Sequence, residues 1–540
     1  MNSRENIHTK SSVFKTIIAA IKKEKKLQLC FVFFILCSQL RAQEKENIFM
    51  GKELHNKVRL NFIPVAMPTE KFSDLKPTMG LMGLHYQIPI TDWLYGGAAM
   101  YAAVTGDQGG LFTLGIELGV TKKIYKYLYL DANFHFGGGG GYRYLVNDGG
   151  YINPNIGLQF KKKDYSFGVQ YSHIDFYSGE IKSNSVSFFI EIPSTLKYSN
   201  HKNSFQEFKK SNINADIFWN KPATRNAQQL RFDFFKPIGN SRKDNGKALT
   251  ETLYVVGFEY QKFLKDNTFL FVHTDAVYKG LRAGFMDLFF GAGYYPYQYN
   301  RFSLFTKLAL GAAGGRVAPE GGLMIYPSAG VDIKLTNRIA LSGHGGYYRA
   351  IAGDLEAYTF GFGLKYTNYS GGTYIANKNE NNNLRIQGSS FRVENQSYLD
   401  VAKTDDSEGI LAVDLQLLSI QYNYDLSKHV YVLGEAGFAY DGRSGGYAHG
   451  LVGLGLQSKS FFNNRIHVFA EIAGGAAGGA GVDTGEGIVV RPTAGINYNI
   501  NSNFAITASG GKLIAPFGNV NATNINIGCK FSLSSLSVLK

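Results

Sequence analysis

The sequence predicts an all-β protein that folds as antiparallel, up-and-down transmembrane β-barrels, and three observations support this fold class. The 540 residues include 63 glycines, 40 phenylalanines and 34 tyrosines, but only 18% of them are charged. Apolar residues alternate with small or polar ones, which is the pattern of a strand with one apolar face. A series of landmarks also recurs three times along the chain. The apolar fraction of 44% excludes a disordered polymer.

The first 42 residues have the pattern of an export signal peptide. Four lysines between positions 22 and 26 precede the apolar stretch Leu27–Leu36, which is too short to span a bilayer as a helix. We therefore expect a signal peptide at 1–42, cleaved after Ala42. Because Cys30 and Cys37 lie within it, the mature chain keeps only Cys529 and forms no internal disulfide.

The net charge of the mature chain is moderately positive. Residues 1–42 contribute +6 of the total of +14, which leaves +8 for residues 43–540. Such a balance suits anionic lipid head groups, and it suits a solvated surface equally well. No stripe of basic and aromatic residues indicates nucleic-acid binding, so no nucleic-acid partner is expected.

Landmarks in three segments indicate three copies of one plan. A proline stands three residues before a glycine at Pro154, Pro327 and Pro492. A glycine-rich block precedes each proline, at 137–141, 311–315 and 474–479. Each copy opens on a similar segment: VRLNF at Val58, LRFDF at Leu230 and LRIQG at Leu384. The same landmarks in the same order predict a triplicated unit.

Each copy is expected to contain about eight strands. In the second copy, alternate residues from Tyr358 to Tyr366 are apolar, and the residues between them are small or polar. Long and short connections alternate along this copy, which is typical of membrane barrels. The predicted strands begin near Leu230, Leu253, Phe269, Met286, Phe302, Met324, Ile339 and Tyr358.

These patterns divide the chain into segments. The predicted segments are a signal peptide (1–42), a first barrel repeat (43–193), a polar linker (194–229), a second repeat (230–367), a second polar linker (368–383), a third repeat (384–533) and a tail (534–540).

The alternation, the glycine-rich strands and the signal peptide together make the chain similar to the small, eight-stranded outer-membrane β-barrel proteins of bacteria. This resemblance implies an outer-membrane location with both termini in the periplasm. It also implies contact with outer-membrane lipids and lipopolysaccharide, and allows contact with other envelope proteins. The oligomeric state stays open. The chain departs from the family by running past Phe531 to Lys540, since such barrels usually end in an aromatic residue.

Two architectures fit three copies of eight strands: three tandem barrels, or one 24-stranded barrel. The polar linkers and the inward faces rich in Gly, Ala and Ser favour three narrow barrels, because eight strands leave barely enough room for side chains. The favoured function is a non-enzymatic integral outer-membrane protein with a structural or surface-interaction role. The alternative is porin-like passive transport of small solutes through a single wide barrel.

One segment of the first copy, YSHIDFYSG at Tyr171, resembles a late strand of outer-membrane lipid A deacylases. The resemblance gives His173 the position of the general base, but Asp175 stands where the family has its nucleophilic serine. Acyl transfer needs an activated hydroxyl, so we interpret the segment as at most a relic of ancestry. In the second copy, His344 is followed by Gly346 in a comparable strand.

No catalytic, cofactor-binding or metal-binding residue is expected. The glycine blocks lack the Lys-Ser/Thr that follows a phosphate-binding loop. The mature histidines, scattered without ligand spacing, include His85, His135, His273, His449 and His467. Lys307, Asp332 and Lys334 are candidates for the interior of the second copy, where a neutralised network of ion pairs is the favoured interpretation.

Overall fold

A computed structural model describes residues 51–141, 143–163, 165–209, 218–318, 320–376, 383–405, 409–463 and 465–539. The described chain is almost entirely β-structured, and its strands pair in antiparallel fashion to form barrels. The predicted signal peptide at 1–42 lies outside the described residues. Among the described residues, no helix is both long enough and apolar enough to cross a membrane.

The long strands fall into three sets of eight. The first set comprises β1 (Lys52–Ala66), β2 (Thr78–Pro89), β3 (Leu94–Thr105), β4 (Phe112–Tyr125), β5 (Leu128–Gly140), β6 (Tyr151–Lys161), β7 (Ser166–Phe176) and β8 (Lys182–Tyr198). A one-turn helix, α1 (Arg143–Val146), lies between β5 and β6, and a 3-10 helix (His201–Asn203) and the short strand β9 (Glu207–Lys209) follow β8.

The second set comprises β10 (Thr224–Ile238), β11 (Leu253–Phe263), β12 (Thr268–Lys279), β13 (Met286–Tyr299), β14 (Phe302–Gly314), β15 (Leu323–Lys334), β16 (Ile339–Ala350) and β17 (Glu356–Ser370). The third set comprises β18 (Asn383–Asp405), β19 (Gly409–Asp425), β20 (Val430–Asp441), β21 (Ala448–Gln457), β22 (Ile466–Gly478), β23 (Ile488–Asn499), β24 (Phe504–Ile514) and β25 (Asn521–Leu539).

The first and last strands of each set are hydrogen-bonded to each other. In the first set, β1 pairs with β8, so that Leu60 lies opposite Ile190. In the same way β10 pairs along its length with β17, and β18 pairs with β25. A single pairing between Ser370 and Ser537 connects the second set to the third. Because β1 pairs with β8, one barrel running through all of the long strands is excluded.

The alternation of the sequence determines which face of a strand points outward. On β17, Tyr358, Phe360 and Phe362 are 53%, 63% and 49% exposed, whereas Thr359 and Lys365 between them are buried. The apolar residues of this part of β17 therefore lie on the outside, and the residues between them point into the interior. The eight strands of the second set begin within two residues of the predicted positions, except β10, which begins earlier, at Thr224.

Several segments interpreted as linker or tail take part in strands. The first linker, 194–229, contains the end of β8, β9 and the start of β10, and β9 pairs with Asn383–Arg385 of β18. The tail, 534–540, continues β25 as far as Leu539. Apolar side chains explain this extension, since Leu384 of β18 packs in one buried cluster with Leu536, Val538 and Trp219.

The opening landmark of the third copy also differs from the expectation. The expected counterpart of the openings of the other copies is LRIQG at Leu384. The arginine of β18 that is buried like Arg59 and Arg231 is Arg392, in the segment FRVEN, and Arg385 is only partly buried. LRIQG lies at the beginning of the β18–β25 ladder, and the arginine that corresponds to Arg59 and Arg231 follows seven residues after Arg385.

Close glycine contacts join the three sets in a cycle. In each set, the loop after the third strand packs against the end of the fifth strand in the next set. Gly110, between β3 and β4, lies so close to Gly315 that an added Cβ would overlap the backbone. Gly478 of β22 likewise contacts the loop between β12 and β13, and the N–H of Gly446 donates to the Gly139 carbonyl at 3.2 Å. The glycine blocks therefore allow the sets to approach one another closely.

Candidate functional site

The outer faces of the barrels are apolar, unlike the surface of a soluble protein, and the interiors hold charged side chains beside buried apolar clusters. Phe188, Phe360 and Ile527 are 57%, 63% and 61% exposed on the outer faces. The interior instead holds charged side chains, among which Arg59 and Arg231 are nearly inaccessible. An extended apolar exterior around a polar interior is typical of a barrel whose outer face contacts lipid. The interiors are therefore the regions in which polar chemistry is concentrated.

The interior of the first set is organised around Arg59 of β1. Its guanidinium donates to Glu191 of β8 at 2.6 Å and to Asp131 of β5 at 3.1 Å. Gln170 donates a further hydrogen bond to Asp131 at 2.6 Å, and Lys57 lies 3.2 Å from Glu191. Strands β1 and β5 face each other across an eight-stranded barrel, so the pair Arg59–Asp131 spans the interior.

The third set repeats this crossing with different residues. Arg392 of β18 donates to both carboxylate oxygens of Glu471 on β22, at 2.6 and 2.7 Å. A second pair lies nearby, where Arg491 donates to Glu435 at 2.6 and 2.7 Å and His449 lies 2.8 Å from the same carboxylate. Buried ion pairs of this kind are tolerated only when each partner is satisfied, and Glu435 has several partners.

The second set contains the predicted interior network, with one change. Lys307 donates to Glu259 at 2.6 Å, and Asp332 accepts a hydrogen bond from Lys365 at 2.6 Å. Lys334 does not belong to this network. It lies exposed at the end of β15, where its ammonium group donates to a turn carbonyl at 3.4 Å.

The segment that resembles lipid A deacylases has no nucleophile in place. His173 lies on the outer side of β7, where its Nδ1 is 2.7 Å from the Asn184 side-chain oxygen. Asp175, at the position of the nucleophile, lies 3.5 Å from Lys182. Among the described residues no hydroxyl is hydrogen-bonded to His173, and the geometry needed to activate a serine is not assembled. His344, in the second set, is bonded to Asp233 at 3.1 Å inside the barrel.

Most of the histidines serve as hydrogen-bonding groups of the interior. His85 lies 2.9 Å from Glu117, and His135 lies 3.2 Å from the Tyr151 hydroxyl. His449 is bonded to Glu435, as described above. Each of these imidazoles is held by an ordinary polar partner.

His273 differs from the other interior histidines, and sequence reasoning missed its surroundings. Its ring lies close to the carboxylates of Asp275 and Asp287, and one ligand atom from each residue lies within 4.8 Å of the others. The His-x-Asp spacing places His273 and Asp275 on the same face of one strand, so the sequence alone could have indicated this pair. The third residue, Asp287, lies on the next strand, so the cluster of three possible metal ligands forms only through the pairing of β12 with β13.

No protein-family model matches the chain, and no curated protein matches it in sequence. Among solved structures it is similar to the siderophore receptor PirA from Pseudomonas aeruginosa, at 10% identity and a TM-score of 0.26, over 89% of this chain and 80% of that chain. It is also similar to the copper transporter OprC, at 10% identity and a TM-score of 0.29, over 91% of this chain and 81% of that chain. At such low TM-scores, neither similarity carries an argument about function.

Proposed function

We propose that the protein is an integral outer-membrane protein of three tandem, eight-stranded barrels, with a structural or surface-interaction role and with neither a conducting pore nor catalytic activity. The observation that carries this proposal is the set of buried ion pairs across the barrel interiors. Arg59 and Asp131 join opposite strands of the first barrel, as Arg392 and Glu471 do in the third. A water-filled path through a barrel would require these ion pairs to separate, and separating buried charges is costly.

The equivalent positions of three prolines support the proposal that the three barrels are copies of one unit. Each landmark proline lies on the sixth strand of its barrel, opposite an outward apolar residue of the fifth strand. The residue before each proline points inward and is buried: these residues are Asn153, Tyr326 and Arg491. Prolines at the same register are expected if the barrels descend from one unit, although the inward residue has diverged.

The distribution of lysines supports contact with lipid head groups at the end that holds the short turns. Lys126 lies 5.4 Å from the ring centre of Tyr125, and Lys161 lies 5.0 Å from that of Tyr129. Tyrosine rings and lysines concentrate where a barrel meets the polar surface of a bilayer. With the termini at this end, the turns would face the periplasm, and the longer loops would face lipopolysaccharide and other envelope components.

Single-channel recording in planar bilayers tests the absence of a pore. The purified full-length chain is expected to give no regular conductance steps, whereas a general porin reconstituted in parallel gives large ones. The double variant Arg392→Ala/Glu471→Ala removes both partners of one crossing, and should produce small steps if that pair closes the third barrel. Large, regular steps from the unaltered chain would contradict the proposal.

A further inference from the structure

The interior of the second barrel holds three potential metal ligands on two neighbouring strands. His273 and Asp275 lie two residues apart on β12, so both point into the barrel, and Asp287 of β13 lies directly opposite Asp275. Their side chains are buried, with exposed fractions of 2%, 1% and 0%. One nitrogen or oxygen atom from each residue lies within 4.8 Å of the other two.

The two carboxylates face each other without a cation bonded between them. Like charges directly opposite on paired strands destabilise a sheet. The nearest guanidinium, that of Arg231, donates to Asp233 and to Glu259, and it remains 3.7 Å from the carboxylate of Asp275. The repulsion between Asp275 and Asp287 is therefore not relieved by a hydrogen-bonded arginine.

Polar atoms in this cluster lack the partners that burial requires. Neither ring nitrogen of His273 and neither carboxylate oxygen of Asp275 has a hydrogen-bond partner. Asp287, in contrast, is held in place by the backbone N–H of Asp275 at 2.9 Å and the hydroxyl of Tyr348 at 3.0 Å. Buried polar groups nearly always have a hydrogen-bond partner. The side chains of His273 and Asp275 have none, although Asp287 beside them is held in place, and this arrangement indicates a missing ligand.

The buried charges of the second barrel do not balance one another. Among the described residues, the buried lysines and arginines of the third barrel equal its buried carboxylates in number. The first barrel has one buried arginine and three buried carboxylates, but each of these carboxylates, Glu117, Asp131 and Glu191, has a hydrogen-bond partner. The buried charged residues of the second barrel are three cations and five carboxylates, namely Arg231, Lys307, Lys365, Asp233, Glu259, Asp275, Asp287 and Asp332. The excess of two negative charges is what one divalent cation neutralises.

We propose that His273, Asp275 and Asp287 bind one divalent transition-metal ion inside the second barrel. An imidazole nitrogen combined with carboxylate oxygens favours ions such as Zn²⁺ over Mg²⁺ or Ca²⁺, which prefer oxygen alone. The Nε2 of His273 lies 3.8 Å from Oδ2 of Asp275. One ion can bridge that gap, because its bonds to nitrogen and oxygen are about 2.0–2.2 Å long. The site goes beyond the proposed structural role and does not depend on it.

Metal content after refolding tests the site. The full-length chain, purified without a histidine tag, is unfolded with a chelator, refolded in detergent with Zn²⁺, separated from free ion by gel filtration and analysed for zinc. We expect one bound zinc per chain. Asp275→Asn and His273→Gln should each lower the bound zinc at least tenfold. In a parallel sample, Co²⁺ should give visible absorption bands that both variants lose.

His449→Gln provides the matched control, because His449 is an equally buried interior histidine that is bonded to Glu435. This variant should keep the full zinc content. Folding of every variant is checked by the heat-dependent shift in electrophoretic mobility that closed barrels show, and Asp287→Asn replaces any variant that fails to fold. The proposal is overturned if the unaltered chain binds no zinc after refolding, as a proton shared by the two carboxylates would predict. It is also overturned if all variants bind the same amount through surface groups.

Discussion

Two buried carboxylates, Glu435 in the third barrel and Asp275 in the second, differ in how completely they are hydrogen-bonded. In the third barrel, Glu435 accepts hydrogen bonds from Arg491, lies 2.8 Å from His449 and accepts a further bond from Gln396 at 3.0 Å. In the second barrel, Asp275 is at least as deeply buried, yet neither of its side-chain oxygens has a hydrogen-bond partner. The difference shows that a buried carboxylate in these interiors can be fully hydrogen-bonded within its barrel or can lack hydrogen-bond partners.

The largest expected effect comes from removing the charge of Glu435. In Glu435→Gln the guanidinium of Arg491 loses its buried counter-ion, and breaking a buried pair in this way costs about 3–5 kcal/mol. The measurement is the free energy of unfolding in urea, with the protein reconstituted in lipid vesicles. Asp275→Asn is the matched change, because it is also isosteric and also in a barrel interior. In the presence of a chelator it should leave the free energy of unfolding unchanged or raise it. An equal loss for both variants would remove the distinction between the two interiors.

A charge introduced on the outer surface should lower the free energy of unfolding nearly as much, but only when the protein is in a bilayer. Ile527 is 61% exposed near the middle of β25. Ile527→Lys should lower the free energy of unfolding by about 2–4 kcal/mol in vesicles, as for a lysine at the bilayer midplane. Phe517→Lys is the control, since Phe517 is 67% exposed in the loop before β25. Equal effects of the two lysines would contradict a lipid-facing position for Ile527.

The contact between the second and third barrels should be sensitive to side-chain volume. A Cβ at Gly478 would overlap Ala283 of the second barrel. We expect Gly478→Val to cost about 1–3 kcal/mol through overpacking, and to increase cleavage by protease in the loop between β12 and β13. Gly474→Val, on the same strand, has space, since the nearest atom to its added Cβ is 3.5 Å away. If Gly474→Val were cleaved as readily, the close contact would not be what holds the barrels together.

The smallest expected effect concerns an ion pair at the strand ends. Lys197 lies 2.9 Å from Glu53, and its hydrogen bond lowers the pKa of that carboxyl below the ordinary value. The stabilisation is therefore present above the ordinary pKa of a glutamate and is lost as the pH falls below it. Glu53→Gln should cost at most about 1 kcal/mol near neutral pH, as for other ion pairs near a protein surface. The difference from the unaltered chain should vanish in acid, and a constant difference at all pH values would contradict this role.

Much of the fold could be predicted from local sequence, because strand alternation and turn spacing are local properties. The strands of the second barrel and the outward face of β17 follow directly from the pattern around Tyr358 and Phe360. The correct opening of the third barrel could not be predicted in the same way. The position of Arg392 depends on the pairing of β18 with β25, which is a long-range contact.

The contents of the interiors were harder to predict than the strands. The inward faces are expected to be rich in Gly, Ala and Ser, but the second barrel also buries Phe269, Phe289 and Tyr326. Glycine makes room for them: a Cβ at Gly293 would overlap the ring of Phe269. The cluster around His273 could not be predicted for a related reason. Its third member, Asp287, is placed beside Asp275 by the register between two strands and not by spacing in the sequence.

We propose that each set of eight strands closes on itself, and a disulfide or short thiol cross-link tests this closure directly. Cys529 lies opposite Val393 in the ladder that closes the third barrel. In native membranes, Val393→Cys should cross-link to Cys529 and give a denatured band of altered mobility that reductant restores. Leu454→Cys, on the outer face of β21, should not cross-link. A chain in which Val393→Cys fails to react with Cys529, even with a short bifunctional thiol reagent, would contradict the closed third barrel.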